Sequence, residues 1–145
     1  PDLPDRERPL NKRGQKEAPQ LGKNLREQGY IPHRIYSSTA LRCAHTAEIV
    51  ADKLNYQKEI LYLDSLYLAE PHTYLELLRS LPDEVESVLV IGHNPGLEGL
   101  LQILSQRVES LPTSAVAVLS IPVRSWASLS PQIDCQIQYL WQPKH

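Results

Sequence analysis

Two short stretches of the chain place a basic or ionisable side chain where an apolar run gives way to a helical pattern. Arg42 follows a run that ends at Ser38, and His93 and Asn94 follow the apolar residues 88–92. Ser38 and Asn94 are of the types that cap the start of a helix. Because a helix start carries partial positive charge, a cation there is unfavourable unless an anion binds beside it. The two junctions therefore predict a site for a phosphate-sized anion.

Both side chains suit that chemistry. Arginine can grip two phosphoryl oxygens with its planar fork, and it stays charged at any physiological pH. Imidazole can contact the same group or, when neutral, attack it near pH 7. Ordinary structural roles stay open for both, with Arg42 as a surface arginine and His93 as a hydrogen-bonded histidine near the core. Their position at the two junctions favours phosphate binding.

Strand and helix patterns alternate along the chain. Asn11 caps a helical stretch that reaches about Gln28; Pro19 is expected to kink or break it, and Gly29 to end it. Short runs rich in branched residues predict strands, and periodic stretches predict helices. The predicted strands are 34–36, 59–63, 87–92 (buried) and 115–121, with weaker ones at 125–129 and 134–141; the further helices are 39–54, 72–81 and 96–106.

This alternation predicts an α/β fold with a mostly parallel sheet, closed by an antiparallel pair of strands. In such sheets a ligand lies beyond the carboxyl ends of the strands, where Ser38–Arg42 and His93–Gly96 both fall. The two helix starts are therefore expected to share one crevice.

Length and composition indicate one compact domain over residues 1–145. Hydrophobic residues make up 41% and charged residues 22%, with a net charge of −2. That balance predicts no nucleic-acid partner, and no apolar stretch reaches the ~20 residues that span a bilayer. Cys43 and Cys135 lie apart without a Cys-x-x-Cys motif, which favours buried thiols and a cytoplasmic, reducing compartment. A reactive Cys43 at a helix start stays open as an alternative.

Four groups of residues occur in a characteristic order between about residue 5 and residue 122. They are Arg8-Pro9-Leu10-Asn11 with Gly14 and Ala18; Ser37-Ser38 with Arg42 and Thr46-Ala47; Gly92-His93-Asn94-Pro95; and Pro112-Thr113-Ser114-Ala115. At these residues the chain resembles the histidine phosphatase (phosphoglycerate mutase-like) superfamily, and most closely its small SixA-type phosphohistidine phosphatases. The resemblance implies a three-layer α/β/α fold, and a site without metal or cofactor.

One feature of that superfamily is missing. Its members begin with a strand ending in Arg-His-Gly or Arg-His-Ala, whose histidine attacks the phosphorus, and here only the reversed pair His33-Arg34 occurs. The chain opens at Pro1 and contains no methionine. We therefore expect a fragment that lacks an N-terminal strand from the interior of the sheet, with the nucleophile upstream of Pro1.

The resemblance also implies roles at the site. Arg42 and His93 would bind the phosphoryl group, with Asn94 beside them and Ser38 as a cap first and a ligand second. Arg8 would either line the mouth of the pocket or pair with a carboxylate such as Asp5. Thr113 and Ser114 would offer donors or simply form a turn before a strand.

A general acid is expected after the third strand, as in larger members of the superfamily. The corresponding segment is 64–72, where Glu70 is the candidate and Asp64 and His72 are alternatives; a plain surface position is the alternative role for each. If none reaches the site, the enzyme would favour a good leaving group such as the imidazole of phosphohistidine. His33, His45 and His145 lack the spacing of a metal site.

The implied activity is metal-independent hydrolysis of phosphohistidine on a protein, through a covalent phosphohistidine intermediate on the enzyme. Another small phosphorylated compound is an alternative substrate. A mutase is disfavoured, because the segments that would enclose a sugar phosphate are short. A non-catalytic phospho-ligand-binding or regulatory module is the alternative from a different functional class.

Overall fold

Strands and helices alternate along residues 3–144, which the computed structural model describes. The strands are β1 (Arg34–Ser38), β2 (Ile60–Leu63), β3 (Val88–Ile91), β4 (Val116–Ser120) and β5 (Gln136–Trp141). The helices are α1 (Lys12–Glu27), α2 (Leu41–Lys53), α3 (Pro71–Arg79) and α4 (Gly96–Ser105), with 3₁₀ turns at Asp5–Glu7, Asp64–Leu66 and Trp126–Ser128. The predicted α/β class is confirmed, and the matching elements agree with their predicted bounds to within two residues.

β1 is the middle strand of a parallel sheet in the order β2–β1–β3. Ile35 pairs with Ile60 on one side and with Leu89 on the other. The helices α2 and α3 connect these strands, as parallel pairing requires. Ser37 pairs with Ile91, so β1 and β3 end side by side. The residues that follow the two strands therefore meet at one edge of the sheet.

Two apolar clusters hold the helices in place. One surrounds α3 and α4 and contains Leu66 and Tyr74, which are fully buried. The other joins α1 to α2 through Leu21, Leu25 and Val50. Since burying one such side chain contributes roughly 1.5–3 kcal/mol, these clusters fix the helix starts relative to the sheet.

The sheet does not continue from β3 to β4. β4 pairs with β5 in a separate antiparallel ribbon, and within residues 3–144 the second edge of β3 and of β4 has no strand partner. Between these edges lies a cavity of about 730 Å³, lined largely by apolar residues of β3, β4 and α4. We call this cavity the β3–β4 slot.

The slot explains one wrong prediction. Residues 88–91 are apolar, and their run predicts a buried strand, but every residue of β3 is only partly buried. By contrast, four of the five residues of β1, which has partners on both edges, are buried. Hydrophobicity thus predicts the strand, whereas its burial depends on a neighbour.

Two further local predictions differ from the structure. Residues 125–129 form no strand. They contain the turn Trp126–Ser128, in which Trp126 Nε1 donates to the carbonyl oxygen of Val85 at 2.7 Å. The partner of β5 is therefore β4 and not a strand at 125–129. At Pro19 the sequence predicts a kink or a break, and the break is wrong, because α1 runs through Pro19 from Lys12 to Glu27.

We predict that residues 1–145 produced alone will self-associate and bind the dye ANS, because two strand edges and an apolar slot are open. Size-exclusion chromatography at rising protein concentration, with dye fluorescence in parallel, measures both effects. A monomeric 1–145 fragment without dye binding would contradict the prediction.

Candidate active site

Arg42 and His93 meet at the carboxyl edge of the parallel sheet. Arg42 lies in the first turn of α2, directly after β1, and His93 lies between β3 and α4. Arg42 Nη2 is 3.3 Å from Nδ1 of His93. The structure thus brings together the two side chains that the sequence places at separate junctions.

The His93 ring is buried, and both of its nitrogens have partners. Nε2 lies 2.8 Å from the Ser38 hydroxyl, and Nδ1 faces Arg42. Because a guanidinium can only donate, we assign the acceptor role to Nδ1 and the proton to Nε2. The backbone N–H of His93 donates to Tyr74 Oη at 3.0 Å, which fixes the residue from behind.

This packing requires glycine at position 92. A Cβ atom there would lie 2.2 Å from Tyr74 Oη, far inside van der Waals contact. Since the Tyr74 ring is fully buried, it cannot retreat without opening the core. Gly92 therefore lets the phenol approach closely enough to hold the His93 backbone.

Asp5 accepts two hydrogen bonds from the Arg42 guanidinium. Arg42 Nη1 donates to the backbone oxygen of Asp5 at 2.9 Å, and Nη2 donates to its Oδ2 at 3.2 Å. Arg8 and the Tyr67 hydroxyl donate to the same carboxylate. The Tyr67 ring also meets the His93 ring in a T-shaped contact with 5.4 Å between centroids. These side chains form one connected network.

The network shifts several pKa values. Burial, and then the charge of Arg42, lowers the pKa of His93 below its ordinary 6.5, against a smaller raising effect of Asp5, so the imidazole is neutral at pH 7. The Tyr67 hydrogen bond, and then that of Arg8, holds the pKa of Asp5 well below its usual range. The same Asp5 contact raises the pKa of Tyr67. At neutral pH the network therefore contains the ionised carboxylate of Asp5, the protonated phenol of Tyr67 and the neutral imidazole of His93.

Cys43 lies beside this network as a buried free thiol. Its Sγ is 3.7 Å from Nε2 of His93. Burial raises the pKa of Cys43 and outweighs the lowering effect of Arg42. A protonated, enclosed thiol fits the packing role and argues against a reactive one.

The two predicted capping residues differ from expectation. The N-cap of α2 is Ala40, so the prediction for Ser38 is wrong. Ser38 is buried at the end of β1, where its hydroxyl accepts the Ala40 N–H at 3.1 Å and contacts His93. Ser38 belongs to β1 and not to the start of α2, because it pairs with Leu63 of β2.

Asn94 stabilises the start of α4, although Pro95 occupies the N-cap position. Its Oδ1 accepts the Glu98 N–H at 3.2 Å, and its Nδ2 donates to the Leu111 carbonyl at 2.6 Å. These bonds give Asn94 a structural function at the edge of the site.

Arg8 pairs with the Asp5 carboxylate, which is one of the two alternatives left open by the sequence. Its side chain is 60% exposed. Arg8 is therefore linked to Arg42 through the Asp5 carboxylate, which both arginines contact.

In the described part of the chain, the side chains of the three acid candidates form no hydrogen bond or ion pair with Arg42 or His93. Glu70 is exposed just before α3. His72 Nε2 lies 3.7 Å from a carboxylate oxygen of Glu76, and Asp64 lies 3.8 Å from Arg6. Glu70 as the acid stays a prediction. The residue of this segment that reaches the network is Tyr67.

The remaining predicted positions have structural surroundings. Thr113 and Ser114 form a turn before β4, the ordinary alternative for them. His45 Nδ1 accepts the Leu10 N–H at 3.4 Å, and His33 Nδ1 accepts that of Glu86 at 3.3 Å. His145 lies outside the described residues.

Within residues 3–144 no group of three or more His, Cys, Asp or Glu side chains has a metal-binding arrangement. The same range contains no helix of the length and apolarity needed to cross a membrane.

Sequence reasoning missed Asp5 and Tyr67 as members of the site. The sequence suggests Asp5 only as a partner for Arg8, and Tyr67 lies in a segment where Glu70, a stronger acid, attracts the prediction. Asp5 and Tyr67 are 62 positions apart, and no motif links them. The proximity of Asp5 to the Arg8 motif is the one signal that the sequence offers.

An arginine and a buried neutral histidine are held together at the carboxyl edge of a parallel sheet in this α/β protein, an arrangement whose chemistry suits an oxyanion. Comparison with known proteins agrees. The sequence model of the histidine phosphatase superfamily (branch 1) matches residues 5–66. A Mycobacterium tuberculosis protein of uncharacterized function is 32% identical over 140 residues, which are 89% of this chain and 85% of that protein.

Two solved structures share the fold. A crystal structure assigned to the phosphohistidine phosphatase SixA of Agrobacterium tumefaciens is 30% identical, with a TM-score of 0.84 over 99% of this chain and 88% of that one. The protein histidine phosphatase SixA in complex with tungstate is 26% identical, with a TM-score of 0.82 over 97% and 87%. The chain belongs to the histidine phosphatase superfamily, and its SixA-like fold places it among the phosphatases.

We predict that Arg42→Ala will weaken vanadate binding by roughly 1.5–3 kcal/mol, the scale of a hydrogen bond to a charged group. Inhibition of the protein from the complete reading frame gives the affinity. Arg79→Ala removes an exposed arginine that pairs with Glu76 on α3, and it serves as the matched control. Equal inhibition of the Arg42→Ala variant and the wild type would contradict the assignment.

The lowered pKa of His93 predicts a stability loss on acidification. As the pH falls below the ordinary pKa of 6.5, His93 becomes protonated in the unfolded chain but stays neutral in the native protein. Stability is therefore present above this pH and lost as the pH falls towards the lower native pKa. The groups that face the ring are Arg42, Asp5, Tyr67, Cys43 and Ser38, while the Tyr74 hydroxyl contacts the backbone N–H of His93.

Urea unfolding at about pH 7.5 and about pH 5.5 tests this effect. The difference in unfolding free energy between the two pH values should shrink in His93→Gln. It should persist in His72→Gln, which removes an exposed histidine. An unchanged difference in His93→Gln would show that His93 does not carry the effect.

Proposed function

We propose that this protein is a metal-independent phosphatase that removes the phosphoryl group from phosphohistidine on a cytoplasmic protein. It would act as a single histidine phosphatase domain, through a covalent phosphohistidine intermediate. The observation that carries the proposal is the 3.3 Å approach of Arg42 Nη2 to His93 Nδ1 at the carboxyl edge of the sheet. Superfamily membership and similarity to a SixA structure that holds tungstate support it.

Arg42 and His93 supply complementary charge. Arg42 is permanently cationic, and its charge, after burial, helps to keep His93 neutral. A bound dianion offsets the charge of Arg42 and attracts a proton to His93. His93 then donates to a phosphoryl oxygen. Both groups thus stabilise the charge that the equatorial oxygens carry in the transition state.

The nucleophile in this proposal is a histidine expected upstream of Pro1. The β3–β4 slot supports that expectation, because a strand added parallel to the open edge of β3 would end near His93. His93 is poorly suited to attack, since Ser38 and Arg42 engage both of its ring nitrogens.

The proposed reaction has two displacements at phosphorus. The nucleophilic nitrogen forms a bond to phosphorus while the P–N bond of the substrate breaks, and the departing imidazole takes a proton from solvent. Water then attacks the phosphoryl-enzyme, the second P–N bond breaks, and phosphate leaves as the enzyme histidine is restored. Arg42 and His93 hold the phosphoryl oxygens through both displacements.

The surroundings of the acid candidates favour phosphohistidine over a phosphate ester. An alkoxide leaving group needs a well-placed proton donor, whereas imidazole leaves with less help. Glu70 is exposed, and Asp64 and His72 have other partners in the described chain. A small phosphorylated compound with an equally good leaving group is the alternative substrate.

A non-catalytic phospho-ligand-binding or regulatory module is the second candidate. One observation favours it: residues 1–145 contain the anion-binding pair but no Arg-His dipeptide. Such a module would bind tungstate and would not turn over substrate.

We predict that the protein from the complete reading frame will hydrolyse a phosphohistidine peptide in the presence of EDTA and form an acid-labile phosphoenzyme. Residues 1–145 alone should lose several orders of magnitude in activity, since removing the nucleophile of another hydrolase costs about 10⁶-fold. Rapid-quench labelling and phosphate release measure the two effects.

An aryl phosphate serves as the comparison substrate. Full activity of the 1–145 fragment, or inhibition by EDTA that a divalent metal reverses, would overturn the mechanism. Tungstate binding without turnover of either substrate would instead favour the non-catalytic module.

A further inference from the structure

We propose that Arg42, Tyr67 and Arg8 form an oxyanion subsite that the Asp5 carboxylate fills as an internal ligand, and that an incoming phosphoryl group must displace it. The inference rests on the proposed function only for the identity of the displacing group. The subsite itself follows from contacts within the chain.

The side chains of three residues donate four hydrogen bonds to Asp5. Arg42 donates through Nη1 to its backbone oxygen and through Nη2 to Oδ2. The Tyr67 hydroxyl donates to Oδ2, and Arg8 donates to Oδ1. Two guanidinium groups and a hydroxyl therefore converge on the two carboxylate oxygens, and the same donors can bind two phosphoryl oxygens, because carboxylate and phosphoryl groups are both anionic acceptors.

The position of Asp5 makes it a competitor. Arg42 Nη2 contacts both Asp5 Oδ2, at 3.2 Å, and His93 Nδ1, at 3.3 Å. A phosphoryl oxygen that bridges Arg42 and His93 must therefore approach the nitrogen that the carboxylate occupies. The same carboxylate neutralises the Arg42 charge that would attract the oxyanion.

Displacement of Asp5 breaks polar contacts and uncovers little apolar surface. The turn Asp5–Glu7 contains no buried residue, and the Asp5 side chain is 39% exposed. Tyr67, by contrast, follows the fully buried Leu66, and its ring lies against His93 with the Arg6 guanidinium 4.4 Å from its centroid. Arg42 and Tyr67 thus sit on packed elements, and the internal ligand sits on a loosely packed one.

Two alternative roles for Asp5 predict different effects on anion binding. If Asp5 only positions Arg42, removing its charge should weaken anion binding. If Asp5 stays in place as a fixed charge, it repels a dianion about twice as strongly as a monoanion. If the anion displaces Asp5, the cost of displacement is the same for either anion. Removing the Asp5 charge should then strengthen the binding of both anions by the same factor.

The test uses Asp5→Asn in the protein from the complete reading frame, with tungstate and perrhenate as tetrahedral probes of charge −2 and −1. Isothermal titration calorimetry should show both probes binding more tightly by the same factor, about tenfold, the lower end for a hydrogen bond to a charged group. Asp64→Asn is the matched control. It removes a carboxylate that is 81% exposed and pairs with Arg6, so both affinities should stay unchanged.

Tyr67→Phe in the Asp5→Asn background tests the hydroxyl as a ligand donor, with the internal ligand already weakened. Tungstate affinity should fall severalfold, and unchanged affinity would remove Tyr67 from the subsite. Weaker or unchanged binding in Asp5→Asn alone would overturn the proposal. So would a tungstate gain near the square of the perrhenate gain, or an equal gain in Asp64→Asn.

These measurements need no turnover. A protein that binds tungstate, responds to Asp5→Asn as expected and hydrolyses nothing would contradict the proposed function while leaving the internal ligand established.

Discussion

The parallel pairing of β1 with β3 is the constraint on which the site depends. It brings the ends of the two strands together, so that the turn carrying Arg42 lies against the turn carrying His93. A shift of one residue would send alternate side chains to the opposite face of the sheet. Ser38 would then lose its contact with Nε2 of His93. The apolar clusters around α2, α3 and α4 matter to the site chiefly because they hold this register.

His93 shows how a buried polar group is kept at low cost. Ser38, Arg42 and the Tyr74 hydroxyl satisfy its two ring nitrogens and its backbone N–H. An unpaired group in the same place would be strongly destabilising. The arrangement also keeps the ring neutral, and a negative charge beside it would favour its protonation. Structural satisfaction and proposed catalytic use therefore rely on the same contacts.

The conflict of a cation at a helix start has a local solution in this structure. Arg42 lies in the first turn of α2, where the helix dipole disfavours positive charge. The Asp5 carboxylate supplies the compensating anion from a distant part of the sequence. Tyr67 and Arg8 hold that anion, so a carboxylate of the chain itself balances the charge of Arg42.

The sequence by itself determined the α/β class, nearly all element positions and the identity of Arg42 and His93 as the pair at the helix starts. These features have local causes: apolar period, capping chemistry and the residues that follow each strand. The sequence did not predict Asp5 and Tyr67 as members of the site, because their contact joins positions 62 residues apart and no sequence motif links them. Only the tertiary structure decided the partial burial of β3, the β4–β5 pairing and the contact of Ser38 with Nε2 of His93, because each depends on which neighbour is present in space.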